Sequence, residues 1–276
     1  MTHIKIFSLK LIIIKQLKFD PLILLQNFKV LNSLYKMPYT KYHFKTYCYW
    51  PTNPKKIIEF IGGSYLASKP DLTYRRFIES LVKKNYAVHA YEYTPKFDHQ
   101  KLAIDAWKDF KNCRKYLLKR LGSSIPSLRI GHSLGCKLHL ISPDGGRNCE
   151  KFISISFNNF SAQKSIPLLK KISQKLEFNS EFSPSPDRTL KIIENTYNQK
   201  NNLLIKFNSD ELDQTDKLLS CLKSRKEDNS NGIMLRGTHT IIASAGLREN
   251  IFGNWADDNL KRNTIKLISN LIDDQV

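Results

Sequence analysis

The chain has 276 residues, 41% hydrophobic and 25% charged, with 44 lysines and arginines against 25 acids and a formal net charge of +19. That suffices for one large α/β domain with a substantial core and excludes fibrous or low-complexity chains. The basic residues are spread as single lysines and pairs such as Lys55-Lys56, Lys83-Lys84 and Lys170-Lys171. With no arginine-rich arm, zinc-finger spacing or aromatic ribonucleoprotein motif, no nucleic-acid partner is expected, and peripheral contact with an anionic membrane stays open.

Residues 1–36 alternate apolar clusters at 11–14 and 22–25 with lysines and one acid, Asp20. The runs are too short to span a bilayer, and none leads to a small-residue cleavage site, so neither a transmembrane helix nor secretion is expected. The segment reads as an amphipathic surface segment, a targeting sequence or an extension from an upstream start codon. The last is preferred, because Met37-Pro38 offers a natural start; the domain is then 37–276.

From residue 55 the pattern is regular. The run 57–61 (IIEFI) ends at Gly62-Gly63, as a strand buried in a parallel sheet does. Residues 71–84 have apolar side chains at helical spacing, with Asp71 or Thr73 as N-cap. A strand over 86–93 (YAVHAYEY) follows, then a helix over about 100–121 with Trp107, Phe110, Leu117 and Leu121 inward and Gly122 as its stop.

Strands are expected at 128–131, 151–157, 203–207 and 233–236, helices from Leu134 to before Pro143 and over about 258–272. Alternation of this kind makes a mostly parallel sheet with helices on both faces. Residues 160–200 interrupt it, either as a cap over the C-terminal strand ends or as a plain crossover helix with a long loop. Cys48, Cys113, Cys136, Cys149 and Cys221 are odd in number and lack a C-x-x-C pair. They suit reduced thiols in a cytosol-like compartment rather than disulfides or a zinc site.

Residues 131–135 read GHSLG between an expected strand and an expected helix. A serine at the apex of such a turn projects its hydroxyl from the sheet edge, and Gly131 and Gly135 flank it because side chains there would collide with strand and helix. A nucleophilic Ser133 needs a base and an orienting acid, in the chain order Ser, Asp or Glu, His. His239, just past the last strand, is the only histidine beyond His139. Asp210 lies three residues past the strand 203–207, with Asp213 as the alternative acid. The N–H of Leu134 and that of Gly63 or Ser64 would receive an oxyanion, with Tyr65 lining the pocket. His132 and His89 are read as packing residues, and His99 as one able to rim a site.

The order Ser133, Asp210, His239 on successive strand ends resembles the α/β-hydrolase superfamily. More narrowly, IEFIGGSYLAS (58–68), YRRFIESL (74–81), YAVHAYEY (86–93), FDHQ (97–100), GHSLGCKLHL (131–140) and SFNNF (156–160) are similar to an uncharacterised hydrolase-like family typical of cyanobacteria and plastids. The likeness begins at about residue 45. It implies an α/β-hydrolase fold and a photosynthetic cell, so that the compartment is cytoplasm or plastid stroma, and it implies no substrate. The resulting expectation is a serine hydrolase of an ester or thioester, with a small-molecule or lipid-like acyl substrate and no metal or organic cofactor. The alternative is a catalytically silent binding or assembly module of the same fold.

Overall fold

The structure is a computed structural model describing residues 40–165, 181–243 and 259–274. The chain divides into two units, Met1–Thr40 and Lys41–Val276. The expected extension, 1–36, lies outside the described residues.

Eight strands form one sheet in the order β1-β2-β4-β3-β5-β6-β7-β8. The six expected strands are β3 (Lys56–Ile61), β4 (Tyr86–Tyr91), β5 (Ser127–His132), β6 (Lys151–Ile155), β7 (Asn202–Phe207) and β8 (Asn231–Leu235), and each runs parallel to its neighbours among them. Two short strands not anticipated, β1 (Thr40–His43) and β2 (Thr46–Tyr49), extend one edge, with β2 antiparallel to β4.

β3, β4 and β5 are buried along nearly their whole length, which is why they read as apolar runs rather than as alternation. Glu59, in the middle of β3, is an exception. The register sets it opposite Arg129 of β5, whose Nε lies 3.1 Å from Glu59 Oε2. Arg129 also grips Asp144 with two parallel bonds of 2.8 and 2.7 Å, and Arg114 reaches Glu59 Oε1 at 3.1 Å. Charge enters the sheet centre only because each ion is paired.

The helices that pack this sheet are α1 (Arg75–Lys83), α2 (His99–Leu121), α3 (Leu134–Leu140), α4 (Pro186–Thr196), α5 (Thr215–Lys223) and α6 (Asn259–Asp274). Asp98 caps α2 by accepting from the Lys101 N–H at 2.8 Å, and Gly122 ends it at φ 68°. Of its expected inner residues, Phe110 and Leu117 are buried while Trp107 and Leu121 are only partly so. All seven residues of α3 are buried.

The expected helix over 71–84 is broken. A four-residue turn, Pro70–Thr73, precedes α1, and Tyr74 between them leaves helical geometry at φ −115°, ψ 17°. Asp71 and Thr73 therefore cap nothing; the Thr73 hydroxyl donates to Leu66 O and Lys69 O at 2.6 and 3.0 Å instead. Within 160–200, α4 is the crossover between β6 and β7, capped by Ser185 and packed through Ile193 against Cys136, Phe152 and Leu204. The middle of that stretch, 166–180, lies outside the described residues.

Chain order in the sheet reverses after β4, which pairs with one side of β3 while β5 pairs with the other. The crevice at the carboxyl ends of β3 and β5 is where such sheets bind ligands.

Candidate active site

Ser133 stands at that crevice. It follows β5, precedes α3 and has φ 53°, ψ −121°, a conformation that L-residues rarely adopt. Its N–H donates to the Ile155 carbonyl at 2.9 Å, fixing the turn to β6. The flanking glycines are obligatory. A Cβ on Gly135 would lie 2.0 Å from the Ile61 carbonyl oxygen, and one on Gly131 would lie 2.5 Å from Cys136 Cα.

Two loops from the far side of the sheet converge on this serine. The loop after β8 carries His239, and the residues that follow it, Ile241, Ile242 and Ala243, are buried. The loop after β7 carries Asp210. The two loops are stitched together, Gly237 N–H donating to Asn208 Oδ1 at 3.0 Å and Ser209 N–H to the Gly237 carbonyl at 3.0 Å.

The result is one line of side chains. His239 Nε2 lies 2.9 Å from Ser133 Oγ, and His239 Nδ1 lies 2.8 and 3.0 Å from the two Asp210 oxygens. Burial alone would raise the Asp210 carboxyl, but the hydrogen bond and charge of His239 and the Leu212 N–H at 3.0 Å outweigh it, and its pKa is lowered. The carboxylate is fully buried, and the imidazole is 17% exposed. An ionised Asp210 beside Nδ1 keeps the hydrogen there and presents a bare Nε2 to the serine.

Asp213, the alternative acid, is engaged elsewhere. It accepts from the N–H and hydroxyl of Thr215, both at 2.8 Å, and so helps begin α5. Of the two expected donors in the loop after β3, Gly63 is also taken: its N–H donates to the Tyr74 hydroxyl at 2.7 Å. That corrects the reading of Gly63 and leaves Ser64. Among the described residues, the N–H groups of Ser64 and Leu134 donate to no protein acceptor.

Three of the histidines that sequence left aside are now placed. His89 accepts from the Trp50 indole N–H at 2.9 Å inside the core. His99 rims nothing: it is 3% exposed and stacked on Phe182 with ring centroids 4.3 Å apart. His132 is buried as expected, yet it contacts the site directly, with Nε2 2.8 Å from the His239 carbonyl and Nδ1 2.8 Å from Tyr74 Oη. Sequence reasoning missed Tyr74 because it filled an apolar helical stripe, where its hydroxyl carried no separate signal.

All five cysteines are buried and unpaired. Among the described residues, no group of three or more His, Cys, Asp or Glu could hold a metal ion, and no helix is long and apolar enough to cross a membrane. Tyr65, Phe97 and Leu212, on loops after β3, β4 and β7, are exposed apolar side chains on the same edge as Ser133.

No curated protein matches this sequence. Solved structures of similar fold include a monoacylglycerol lipase from Paleococcus ferrophilus, at TM-score 0.53 and 12% identity over 83% of this chain and 98% of that one. Carboxyl esterase 2 from the mycorrhizal fungus Tuber melanosporum aligns at TM-score 0.54 and 19% identity, covering 81% of this chain and 79% of that one. Esterase 2 of Thermogutta terrifontis, in a form phosphoramylated by tabun, aligns at TM-score 0.55 and 13% identity over 87% and 96%. The fold is that of the α/β-hydrolases, and with residues 44–260 matched the chain belongs to the family described as "Protein of unknown function (DUF1350)".

Proposed function

We propose that the protein is a serine hydrolase that cleaves a carboxylic ester or thioester. The observation that carries this reading is the unbroken line from Asp210 through His239 to Ser133, no link longer than 3.0 Å, ending at a strained turn. Ser133 Oγ attacks the acyl carbon as His239 Nε2 takes its proton. Asp210 holds the imidazole and stabilises its charged form, and the N–H groups of Leu134 and Ser64 receive the oxyanion. His239 then returns the proton to the leaving group, and a water activated the same way releases the acyl group.

Exposed Tyr65, Phe97 and Leu212 on the same edge favour an apolar, lipid-like acyl group. The net charge of +19 favours delivery from an anionic membrane surface. Flotation with anionic but not neutral liposomes at low salt is the expected result, and equal flotation with both rejects the membrane contact. The sequence resemblance to a cyanobacterial and plastid family favours cytoplasm or stroma as the compartment in this reading.

A fluorophosphonate probe tests the core of the reading. Wild-type protein is expected to be labelled, Ser133→Ala not at all and His239→Ala only slowly. A folded wild-type protein that resists the probe would leave the fold as a binding module and sink the hydrolase assignment.

A further inference from the structure

The loop after β3 is held with unusual completeness. The peptide joining Gly62 to Gly63 is gripped at both ends: Tyr93 Oη–H donates to the Gly62 carbonyl at 3.0 Å, and the Gly63 N–H donates to Tyr74 Oη at 2.7 Å. The next peptide is held through its carbonyl, since the Ala67 N–H donates to Gly63 O at 2.9 Å. In a trans peptide the N–H points opposite the C=O. The Ser64 N–H is thereby turned away from Ala67 and fixed in direction.

Tyr74 has a second partner, His132 Nδ1 at 2.8 Å, and His132 Nε2 lies 2.8 Å from the His239 carbonyl oxygen. A carbonyl oxygen only accepts, so Nε2 carries the hydrogen. Both rings are buried at 0% exposure, and burial pushes the His132 imidazole down to about 3, so it is neutral and Nδ1 is bare. Tyr74 therefore donates to Nδ1 while accepting from Gly63. Every donor in the line faces the same way, from Gly63 N–H to Tyr74, from Tyr74 to His132, and from His132 to His239. Aligned hydrogen bonds of this kind polarise and strengthen one another.

The line passes through the residue adjoining the nucleophile and joins the oxyanion loop to the loop that bears the base. Packing enforces it. A Cβ on Gly62 would sit 2.4 Å from the Tyr74 ring, and the His132 and His239 ring centroids are 5.2 Å apart. Building on the hydrolase reading above, we propose that Tyr74 and His132 are positioning residues: a proton-ordered relay that holds the Ser64 N–H and the His239 imidazole in register on either side of Ser133. Neither residue touches substrate.

The test uses full-length protein carrying ¹⁵N-histidine and compares wild type with Tyr74→Phe and Tyr93→Phe. Two quantities are read, the rate of fluorophosphonate labelling and the imidazole ¹⁵N shifts of His132. Wild-type His132 is expected as the neutral Nε2–H tautomer. Tyr74→Phe, which deletes one oxygen and keeps the ring, should slow labelling about 10- to 100-fold and move the His132 nitrogen shifts. Tyr93→Phe frees the same peptide from its other end without a hydrogen bond to His132. It should slow labelling while leaving those shifts in place.

The relay is overturned by a Tyr74→Phe variant that labels at the wild-type rate, or by His132 carrying its hydrogen on Nδ1 in wild type. Equal displacement of the His132 shifts in both variants overturns it too. A wild-type protein that resists the probe counts against the hydrolase reading alone, and the tautomer of His132 with its dependence on Tyr74 still decides the relay.

Discussion

Ser133 occupies φ 53°, ψ −121°, where glycine rests without penalty and other residues store about 1–3 kcal/mol. Ser133→Ala removes the hydroxyl and its bond to His239 but keeps the Cβ and the strain. Ser133→Gly removes the Cβ and the strain as well. Both variants lose the same hydrogen bond, so the difference between them isolates the strain. Glycine also frees the unfolded chain, which offsets about 0.4–1 kcal/mol of the relief. The Gly variant should therefore be more stable than the Ala variant by about 1 kcal/mol, where an ordinary helical position would favour alanine by about as much. For a domain of this size that is a melting temperature higher by about 2–4 °C, read by calorimetry or circular dichroism. Neither variant should react with the probe. A Ser133→Gly protein melting at or below Ser133→Ala would refute the claim that the turn is strained.

The two acidic candidates separate cleanly: Asp210→Asn should slow labelling about 10⁴-fold with the fold intact, whereas Asp213→Ala should leave labelling unchanged and cost about 1 kcal/mol of urea stability through α5. Arg129→Met strands the buried Glu59 and Asp144 carboxylates, and the urea midpoint should report a loss of about 3–5 kcal/mol; a loss below about 1 kcal/mol would mean that the cluster is wet. Burial pushes Asp144 up, but the hydrogen bonds and charge of Arg129 overcome this and hold it well below the usual carboxylate range. The stability it contributes is thus complete above about pH 4 and lost as the pH falls further, a loss that Arg129→Met should blunt. Burial pushes the Lys137 ammonium down from 10.5 to about 7, so unfolding takes up a proton between those values and stability rises with pH there. Lys137→Met should melt above wild type at pH 7, by a margin that narrows toward pH 10; a constant margin would contradict the burial argument.

The parallel core was legible because strands buried on both faces are near-continuous apolar runs, and β3 to β7 largely announced themselves this way, while β8, exposed or half-buried throughout, showed only its short apolar end. The edge was not. β1 and β2 are four residues each, and the turn between them uses Phe44 at φ 56° rather than the glycine or asparagine that marks a tight hairpin. α5 was overlooked because its start is marked by Asp213, whose carboxylate was weighed as an acid rather than as the partner of Thr215. At the site, residue type and chain order sufficed to nominate Ser133, Asp210 and His239, since each falls just past a different strand. Spacing along the chain could not tell Gly63 from Ser64. That distinction depends on which N–H the Tyr74 hydroxyl reaches, a contact made by breaking the helix that periodicity had drawn unbroken over 71–84.

A helix with no solvent face, such as α3, leaves little room for experiment by mutation. Each of its six side chains is buried, and Gly131 and Gly135 admit no additional atom. Whether the substrate range is altered by selection or by an engineer, the changes have to be written in the loops bearing Tyr65, Phe97 and Leu212, where a new side chain meets solvent rather than backbone. The molecule thus separates a rigid element that constrains chemistry from exposed margins that remain free to vary.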